Sequence, residues 1–343
     1  MGEVEDARDV ERGSPGMELP ELIGGMQVTQ MIHVAAKLGI ADHLQDGPKS
    51  SAQLAELVEA DPRALYRLLR SLASLGIFAE TEGKVFGLTA LAEPLRTGGP
   101  ARAWAIMYGE GFYWGAWADL LHSVRTGKPA FGHVFGVEAF DYLAGHPEAS
   151  QIFNDAMTSG TRENVEAFLA AYDFSNSKTV VDVGGGHGIL VAGLLKAHPH
   201  LRAVIFDRPE VVQGARSLLE AEGVVERSQF AGGDFFESVP EGGDLYVLKH
   251  VIHDWDDERA AVILRNCRRA MGSQGRVLLL EYVLPSGNEP HPAQMADITM
   301  MVMVGGQERT EDEFRDLFGQ AGLKLTRIIP TDSPVSLLEA VVA

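Results

Sequence analysis

The segment Lys249 to Asp257, KHVIHDWDD, contains the clearest candidates for proton chemistry in this chain. It follows DLYVL, a run typical of a buried strand, and open α/β sheets bind ligands beyond the carboxyl ends of their strands. His253 is the candidate general base, because an imidazole with a pKa near 6.5 accepts a proton close to neutral pH. His250 lies three residues earlier, but no cysteine or carboxylate set completes a zinc or magnesium site by a recognised spacing, so we expect no metal.

Two further acids are candidates to hold that base. Glu281 ends another strand-like run, RVLLLE, and Glu308 lies in GGQERT before a helical segment. A carboxylate bound to the far ring nitrogen fixes the tautomer of a histidine and stabilises its protonated form. Either acid could instead cap a helix or bridge other groups. The sequence therefore predicts a catalytic set of His253, Glu281 and Glu308 without separating the roles of the two acids.

A glycine-rich turn in TVVDVGGGHG, residues 179–188, predicts a cofactor site. The valines before it and the apolar ILVAGLL after it predict strand, turn and helix, and glycine lets the backbone approach a ligand closely. A dinucleotide fingerprint fails, because a G-x-G-x-x-G motif from Gly184 or Gly186 would end at Ile189 or Val191. The remaining pattern, D-x-G-x-G-x-G, is that of loops that bind S-adenosylmethionine (SAM), with an ordinary βα turn as the alternative.

Side chains after the next two strands fit the rest of a nucleoside. Asp207 ends RAVIFD, where a carboxylate accepts hydrogen bonds from ribose hydroxyls, although a solvated loop acid is the alternative. Asp234 and Phe235 in GGDFF are placed to meet the amino group and the ring face of adenine. With a methyl donor bound, the proton that His253 removes would belong to a phenolic hydroxyl, whose ordinary pKa is about 10.

Alternating strand-like and helix-like runs after Asp173 predict a doubly wound, Rossmann-like α/β domain with a mostly parallel sheet. The mostly helical N-terminal part has two short helices, capped by Ser50 or Ser51 and by Asp61, and then a hairpin around a Glu-Gly turn. This order is a winged-helix pattern. Its acidic neighbours favour a protein interface over DNA binding, so we expect it to pair two subunits.

Composition excludes several classes of function. The formal charge is -19, from 48 acidic and 29 basic residues, so we expect no nucleic-acid partner. The single cysteine, Cys267, excludes an intrachain disulfide and fits a reducing compartment. No apolar run reaches the roughly 18 residues of a membrane helix. The charged N-terminus does not resemble a signal peptide, and we expect a cytoplasmic protein without membrane contact.

The expected domain boundaries follow from these patterns. Residues 1–16 are predicted to be a disordered lead, residues 17–100 the winged-helix dimerisation domain, and residues 173–343 the SAM-binding domain. Residues 101–172, which hold a group of aromatic residues, are predicted to be a helical connector that lines the substrate pocket.

Six segments, in the same order, resemble the SAM-dependent small-molecule O-methyltransferases, a family of plant caffeate and flavonoid enzymes and bacterial polyketide-tailoring enzymes. They are VDVGGGHG, IFDRPEVV, GGDFFESVP, LKHVIHDWDD, LLLEYVLP and GGQERTEDEFRDLFGQAGL. The resemblance covers nearly everything after residue 20. It implies a metal-independent reaction with His253 as base, a homodimer whose helices complete the partner's pocket, and SAM contacts from Gly184, Gly186, Asp207, Asp234, Phe235 and Lys249.

The resemblance also implies a small aromatic acceptor and a set of residues around it. Unlike the plant enzymes, this chain has no His-Asn-Pro before Gly305, so an aromatic polyketide or related natural product is favoured over a hydroxycinnamate. The matching substrate positions lie in FNDAM and ADITMMVMVGG: Phe153, Met157, Asp297, Met300 and Met303.

The expected function is O-methylation with S-adenosylhomocysteine as second product. One alternative is a SAM-binding relative that performs hydroxylation, decarboxylation or pericyclic chemistry. A more remote one is a winged-helix transcription regulator with a degenerate ligand domain. The sequence leaves the acceptor itself open.

Overall fold

The computed structural model describes residues 19–343, so the predicted lead at residues 1–16 lies outside the described residues. The chain divides into two compact units, one that ends at Gly109 and one from Glu110 to Ala343. Over the described part of the chain, no helix is both long enough and apolar enough to cross a membrane.

The first unit is a small helical domain with a three-stranded antiparallel sheet. Asp61 caps the longer helix of its helix–turn–helix through the amide of Ala64 at 2.7 Å, and the hairpin follows directly. The predicted winged-helix pattern is confirmed. Its elements are α1 (Leu19–Lys37), α2 (Ile40–His43), β1 (Lys49–Ser50), α3 (Ser51–Leu57), α4 (Pro62–Ser74), β2 (Phe78–Thr81), β3 (Val85–Leu88) and α5 (Arg102–Gly109).

The second unit begins with five helices, and two of them are followed directly by a glycine. Gly127 and Gly136, which follow the ends of two of these helices, adopt positive φ, a backbone region where glycine is favoured. The five are α6 (Gly111–Ala118), α7 (Leu120–Thr126), α8 (Ala130–Phe135), α9 (Ala139–Gly145) and α10 (Pro147–Ala171).

The rest of the second unit is the predicted doubly wound α/β domain. Its elements are β4 (Thr179–Val183), α11 (Ile189–Ala197), β5 (Arg202–Asp207), α12 (Pro209–Ala221), β6 (Ser228–Gly232), β7 (Leu245–Lys249), α13 (Asp257–Ala270), β8 (Arg276–Glu281), α14 (Pro292–Met303), α15 (Glu311–Gln320), β9 (Leu323–Ile329) and β10 (Ser336–Val342). The sheet order is β6-β5-β4-β7-β8-β10-β9, and β10 runs antiparallel to both of its neighbours, β8 and β9, while the strands from β6 to β8 pair in parallel.

The sheet is buried on both faces, as its nearly continuous apolar strands require. Alternate residues pack on opposite sides: Val181 and Leu279 join α13 and α15 on one face, while Val180 and Leu278 join α10, α11 and α12 on the other. From β4 the chain continues to β5 and β6 on one side and then crosses to β7 on the other side of β4. Open α/β sheets form a ligand crevice where the strand order reverses in this way.

Candidate active site

A cavity of about 590 Å³ lies at the carboxyl ends of the central strands. Its volume is in the range of small-molecule and cofactor sites. All six residues predicted to bind the cofactor line it, although they come from four separate segments of the chain: Gly184, Gly186, Asp207, Asp234, Phe235 and Lys249.

The glycine turn after β4 is held in a conformation that larger residues would not fit. Gly184 and Gly186 have φ of +73° and +54°. A Cβ on Gly184 would lie 2.6 Å from Cγ2 of Val251. The amide of Gly186 donates to Oδ2 of Asp207 at 2.8 Å, so the acid that ends β5 also fixes the turn.

Buried charges lie beneath this turn. Burial raises the pKa of Asp182 to about 7, and the Asp207 carboxylate adds to the effect. Burial lowers the pKa of Lys249 to about 8, against the opposing effect of Glu281 and Asp182. Oδ2 of Asp182 is buried and has no hydrogen-bond partner among the described residues. A buried carboxylate oxygen without a hydrogen-bond partner costs free energy. The Asp182 carboxylate beneath the turn therefore favours a ligand that brings positive charge or hydrogen-bond donors.

His253 lies in a one-turn 3-10 helix, Ile252–Asp254, that follows β7. Its Nδ1 is 2.7 Å from Oε1 of Glu308 and 3.5 Å from Oε2 of Glu281. Glu308 is therefore the direct partner, a choice that the sequence left open. The other ring nitrogen, Nε2, is 3.6 Å from Oδ1 of Asp254, and Asp254 lines the cavity.

The carboxylates around His253 reverse the effect of its burial. Burial alone lowers the pKa of this imidazole, but Glu281, Glu308 and Asp254 raise it to about 10. The ordinary imidazole pKa near 6.5, the only value available from the sequence, does not include three acids that folding brings together. Burial in turn raises the pKa of Glu308, and that of Asp254 to about 7.

Glu281 holds the backbone that carries the histidines. Its Oε1 accepts from the amides of Val251 and Ile252 at 3.1 and 2.9 Å, and its Oε2 lies 3.3 Å from Nδ1 of His250. His250 has φ of +51°, a strained conformation for a residue with a side chain. Burial lowers the pKa of His250 well below its usual value. Glu281 thus stabilises a strained turn that lines the cavity.

Arg309 is a positioning residue that the sequence analysis missed. Its side chain is fully buried and donates to the carbonyl oxygens of Ile252 at 3.2 Å and Trp255 at 2.8 Å, on both sides of His253. Its Nε also reaches Asp257 at 2.9 Å. The only sequence signal was its place beside Glu308 in GGQERT, since nothing local indicates that an arginine will be buried.

The predicted acceptor residues are divided between two places. Phe153 and Met157 line the cofactor cavity, and Met303 lines a second cavity of about 360 Å³. Asp297 instead accepts a 2.9 Å hydrogen bond from the amide of Glu308, so it positions that acid. Met300 is not among the described residues that line either cavity.

The two cavities share a wall of three side chains, Glu138, Phe140 and Trp255. The rings of Phe140 and Trp255 lie 5.6 Å apart. Arg259, which the sequence analysis did not single out, stacks on Trp255 at 4.2 Å and lies 3.9 Å from Glu138. Aromatic surface therefore separates the cofactor cavity from its neighbour.

Folding also brings His250, His253 and Glu281 close enough to resemble a metal centre, with ligand atoms within 4.8 Å of one another. These atoms are already engaged, because Glu281 accepts from two backbone amides and Nδ1 of His253 contacts Glu308. The arrangement suits a histidine that accepts a proton, because the carboxylates hold the His253 ring in place and favour its protonated form.

Known proteins share both units of this chain. An O-methyltransferase domain matches residues 117–324, and an O-methyltransferase dimerisation domain matches residues 20–98. The phenazine O-methyltransferase PhzM of Lysobacter antibioticus is 48% identical over 94% of this chain and 95% of that protein. The O-demethylpuromycin-O-methyltransferase of Streptomyces alboniger is 41% identical over 93% of this chain and 87% of its own length.

One similar solved structure contains the cofactor SAM. The O-methyltransferase NcsB1 from neocarzinostatin biosynthesis, in complex with SAM and 2-hydroxy-5-methyl naphthoic acid, is 33% identical with a TM-score of 0.82, over 97% of this chain and all of that one. The matched domains, the extent of the likeness and the cofactor complex agree with the glycine-lined cavity. The chain therefore belongs to the SAM-dependent O-methyltransferase family.

Proposed function

We propose that this enzyme methylates a phenolic hydroxyl of a small, fused-ring aromatic natural product, with His253 as the general base. The observation that carries the proposal is the buried His253–Glu308 pair, 2.7 Å apart. Neither residue is among the described residues that line the cavity, but Asp254, which follows His253 in the chain, lines it together with glycines, acids and an aromatic ring. Glu308 orients the imidazole through Nδ1, which leaves Nε2 to take the proton.

The lining of the cavity fits SAM, which supplies an activated methyl group when bound. Asp207 would accept from the ribose hydroxyls, since its oxygens retain lone pairs beyond the bonds to the amides of Gly186 and Arg208. Phe235 would meet the adenine ring and Asp234 its amino group. The unpartnered oxygen of Asp182 offers an acceptor to the donors of the methionine part.

The basicity of His253 suits a phenol. Its pKa of about 10 matches the value of about 10 that a phenol ordinarily has, so the proton passes between them at little cost. An imidazole with a pKa near 6.5 would take the same proton at a cost of about 5 kcal/mol. Ligand-free His253 is protonated at neutral pH, so we expect turnover to rise toward alkaline pH as the neutral fraction grows.

The acceptor class follows from the walls and from the relatives. Phe140, Phe153, Met157 and Trp255 give the site flat, apolar surface. The names of the relatives point to phenazine, and the solved complex holds a naphthoic acid. Both support a fused-ring acceptor from secondary metabolism, such as antibiotic biosynthesis.

We further propose a homodimer in the cytoplasm. The dimerisation domain match at residues 20–98 supports the pairing. The one cysteine, Cys267, is a buried free thiol, and burial raises its pKa to about 12, so we expect it to be unreactive. A chain with one free cysteine fits a reducing compartment.

The test uses methyl-labelled SAM with a panel of hydroxylated phenazines, naphthoates and polyketides. We expect labelled product with the methyl group on oxygen, together with one S-adenosylhomocysteine per methyl transferred. Conversion of an acceptor while SAM remains intact would contradict methylation and would establish the non-methylating alternative.

A further inference from the structure

The wall of the second cavity packs closely against the turn that carries His253. Two consecutive glycines make this contact. A Cβ on Gly305 would lie 2.9 Å from Cγ of Pro129, which lines the cavity, and a Cβ on Gly306 would overlap the carbonyl oxygen of His253. The loop of Lys128 and Pro129 is therefore held near the proton-accepting site by close packing.

A free cation and a free imidazole lie in this cavity. Lys128 is exposed, and its ammonium group has no ion-pair or hydrogen-bond partner among the described residues. The ring of His122 stacks on that of His133 with centroids 4.0 Å apart, and within the described chain it has no hydrogen-bond partner. His133 differs, because its Nδ1 lies 2.6 Å from Oδ2 of Asp119. Lys128 and His122 are thus available to a ligand.

The negative charge in the lining is already matched, and a further donor is unsatisfied. Glu138 is the one acid among the described residues that line the second cavity, and Arg259 lies 3.9 Å from its carboxylate. Trp255 lines both cavities, and its indole Nε1 is buried without a hydrogen-bond partner in the part of the chain that the structure describes. An unpaired buried N–H costs free energy, which an acceptor atom on a ligand relieves.

Building on the proposed function, we propose that the acceptor is an aromatic hydroxy acid whose carboxylate lies in the second cavity, with Lys128 as its counter-ion. Its ring would lie along Phe140 and Trp255, the aromatic surface that the two cavities share. A carboxylate accepts hydrogen bonds from an ammonium group, from a neutral imidazole and from an indole N–H. Lys128 then determines specificity, while His253 takes the proton of the hydroxyl group.

Two matched compounds test the carboxylate site, 3-hydroxy-2-naphthoic acid and 2-naphthol, which differ only by a group that forms strong hydrogen bonds with charged donors. Calorimetry measures the binding of each to enzyme loaded with S-adenosylhomocysteine, so the result does not depend on turnover. We expect wild-type enzyme to bind the acid at least about tenfold more tightly than the naphthol, and Lys128→Met to lose this preference. Lys178→Met, at an exposed lysine before β4, is the matched control and should bind both compounds as the wild type does.

Binding of neither compound, equal affinity for the two, or an undiminished preference in folded Lys128→Met would overturn the carboxylate site. Methyl transfer from labelled SAM to the same compounds separates this outcome from failure of the proposed function. We expect Lys128→Met to raise KM for the acid about tenfold with kcat little changed. Preferential binding of the acid without any transfer would contradict methylation and retain the carboxylate site. Transfer to both compounds with equal KM would retain methylation and contradict the carboxylate site.

Discussion

His253 illustrates how one side chain acquires chemistry from groups far away in sequence. Glu281 and Glu308 follow it by 28 and 55 residues (281 − 253 and 308 − 253), yet both carboxylates lie within 3.5 Å of its ring. Their negative charge outweighs burial and makes the imidazole as basic as a phenolate. Asp297 and Arg309 then hold Glu308 and the His253 turn by hydrogen bonds.

Glu308→Gln tests the source of this basicity. The amide keeps a hydrogen-bond acceptor but removes the charge, so we expect the pKa of His253 to fall from about 10 by at least about one pH unit. Titration of ¹⁵N-labelled histidine followed by NMR measures it in the ligand-free enzyme. Asp316→Asn, at an exposed acid on α15, should leave the midpoint in place. An unchanged midpoint in Glu308→Gln would contradict this account.

Asp207→Ala tests the cofactor site. The carboxylate fixes Gly186 and is placed to accept from ribose, and hydrogen bonds to charged groups contribute about 1.5–3 kcal/mol. We expect the affinity for S-adenosylhomocysteine, measured by calorimetry, to fall roughly 10- to 100-fold. Asp316→Ala serves as the control. Wild-type affinity in Asp207→Ala would remove that acid from the site.

The β4–α11 turn is the element on which the cofactor cavity depends. Ala at position 184 would have to adopt positive φ and would meet Val251, so we expect Gly184→Ala to lower the free energy of unfolding by at least about 1–2 kcal/mol. Denaturant unfolding measures the loss. Gly319→Ala, in an open position within α15, should be neutral or stabilising. Equal stability of the two variants would show that the turn is not constrained.

Local patterns made this element and its neighbours predictable. Short apolar runs predicted β4, β5 and β7, and the Asp-Pro pair at the start of α4 predicted its cap. The predicted cofactor residues lie at or just after the ends of strands. Because parallel strands end at the same edge of a sheet, the sequence also predicted that these residues lie together.

Other features depend on tertiary contacts and could not be derived from spacing. The sequence did not show whether Glu281 or Glu308 binds Nδ1 of His253, because both acids follow long connections. It placed Asp297 in the acceptor pocket, although that side chain contacts the amide of Glu308. Burial of Arg309 has no local signal at all.

The whole molecule is expected to work as a pair of chains. Four apolar residues on one face of α1 are 54% to 69% exposed, and they follow helical spacing in the dimerisation domain: Leu19, Leu22, Ile23 and Met26. We expect light scattering to give the mass of two 37.1 kDa chains, and a Leu22→Asp/Ile23→Asp variant to shift toward the monomer. Leu75→Asp, at an exposed leucine beside α4, is the control. A wild-type monomer would contradict the pairing.

The most direct test of the central claim compares wild-type enzyme with His253→Ala. Methyl transfer from labelled SAM to a phenolic acceptor and SAM affinity are measured on the same preparations, with His200→Ala as the control histidine. We predict a fall in kcat of about 10²- to 10⁴-fold with SAM affinity little changed, because the base is lost and the cofactor cavity is not. Full turnover by His253→Ala at neutral pH would contradict the assignment of His253 as the general base.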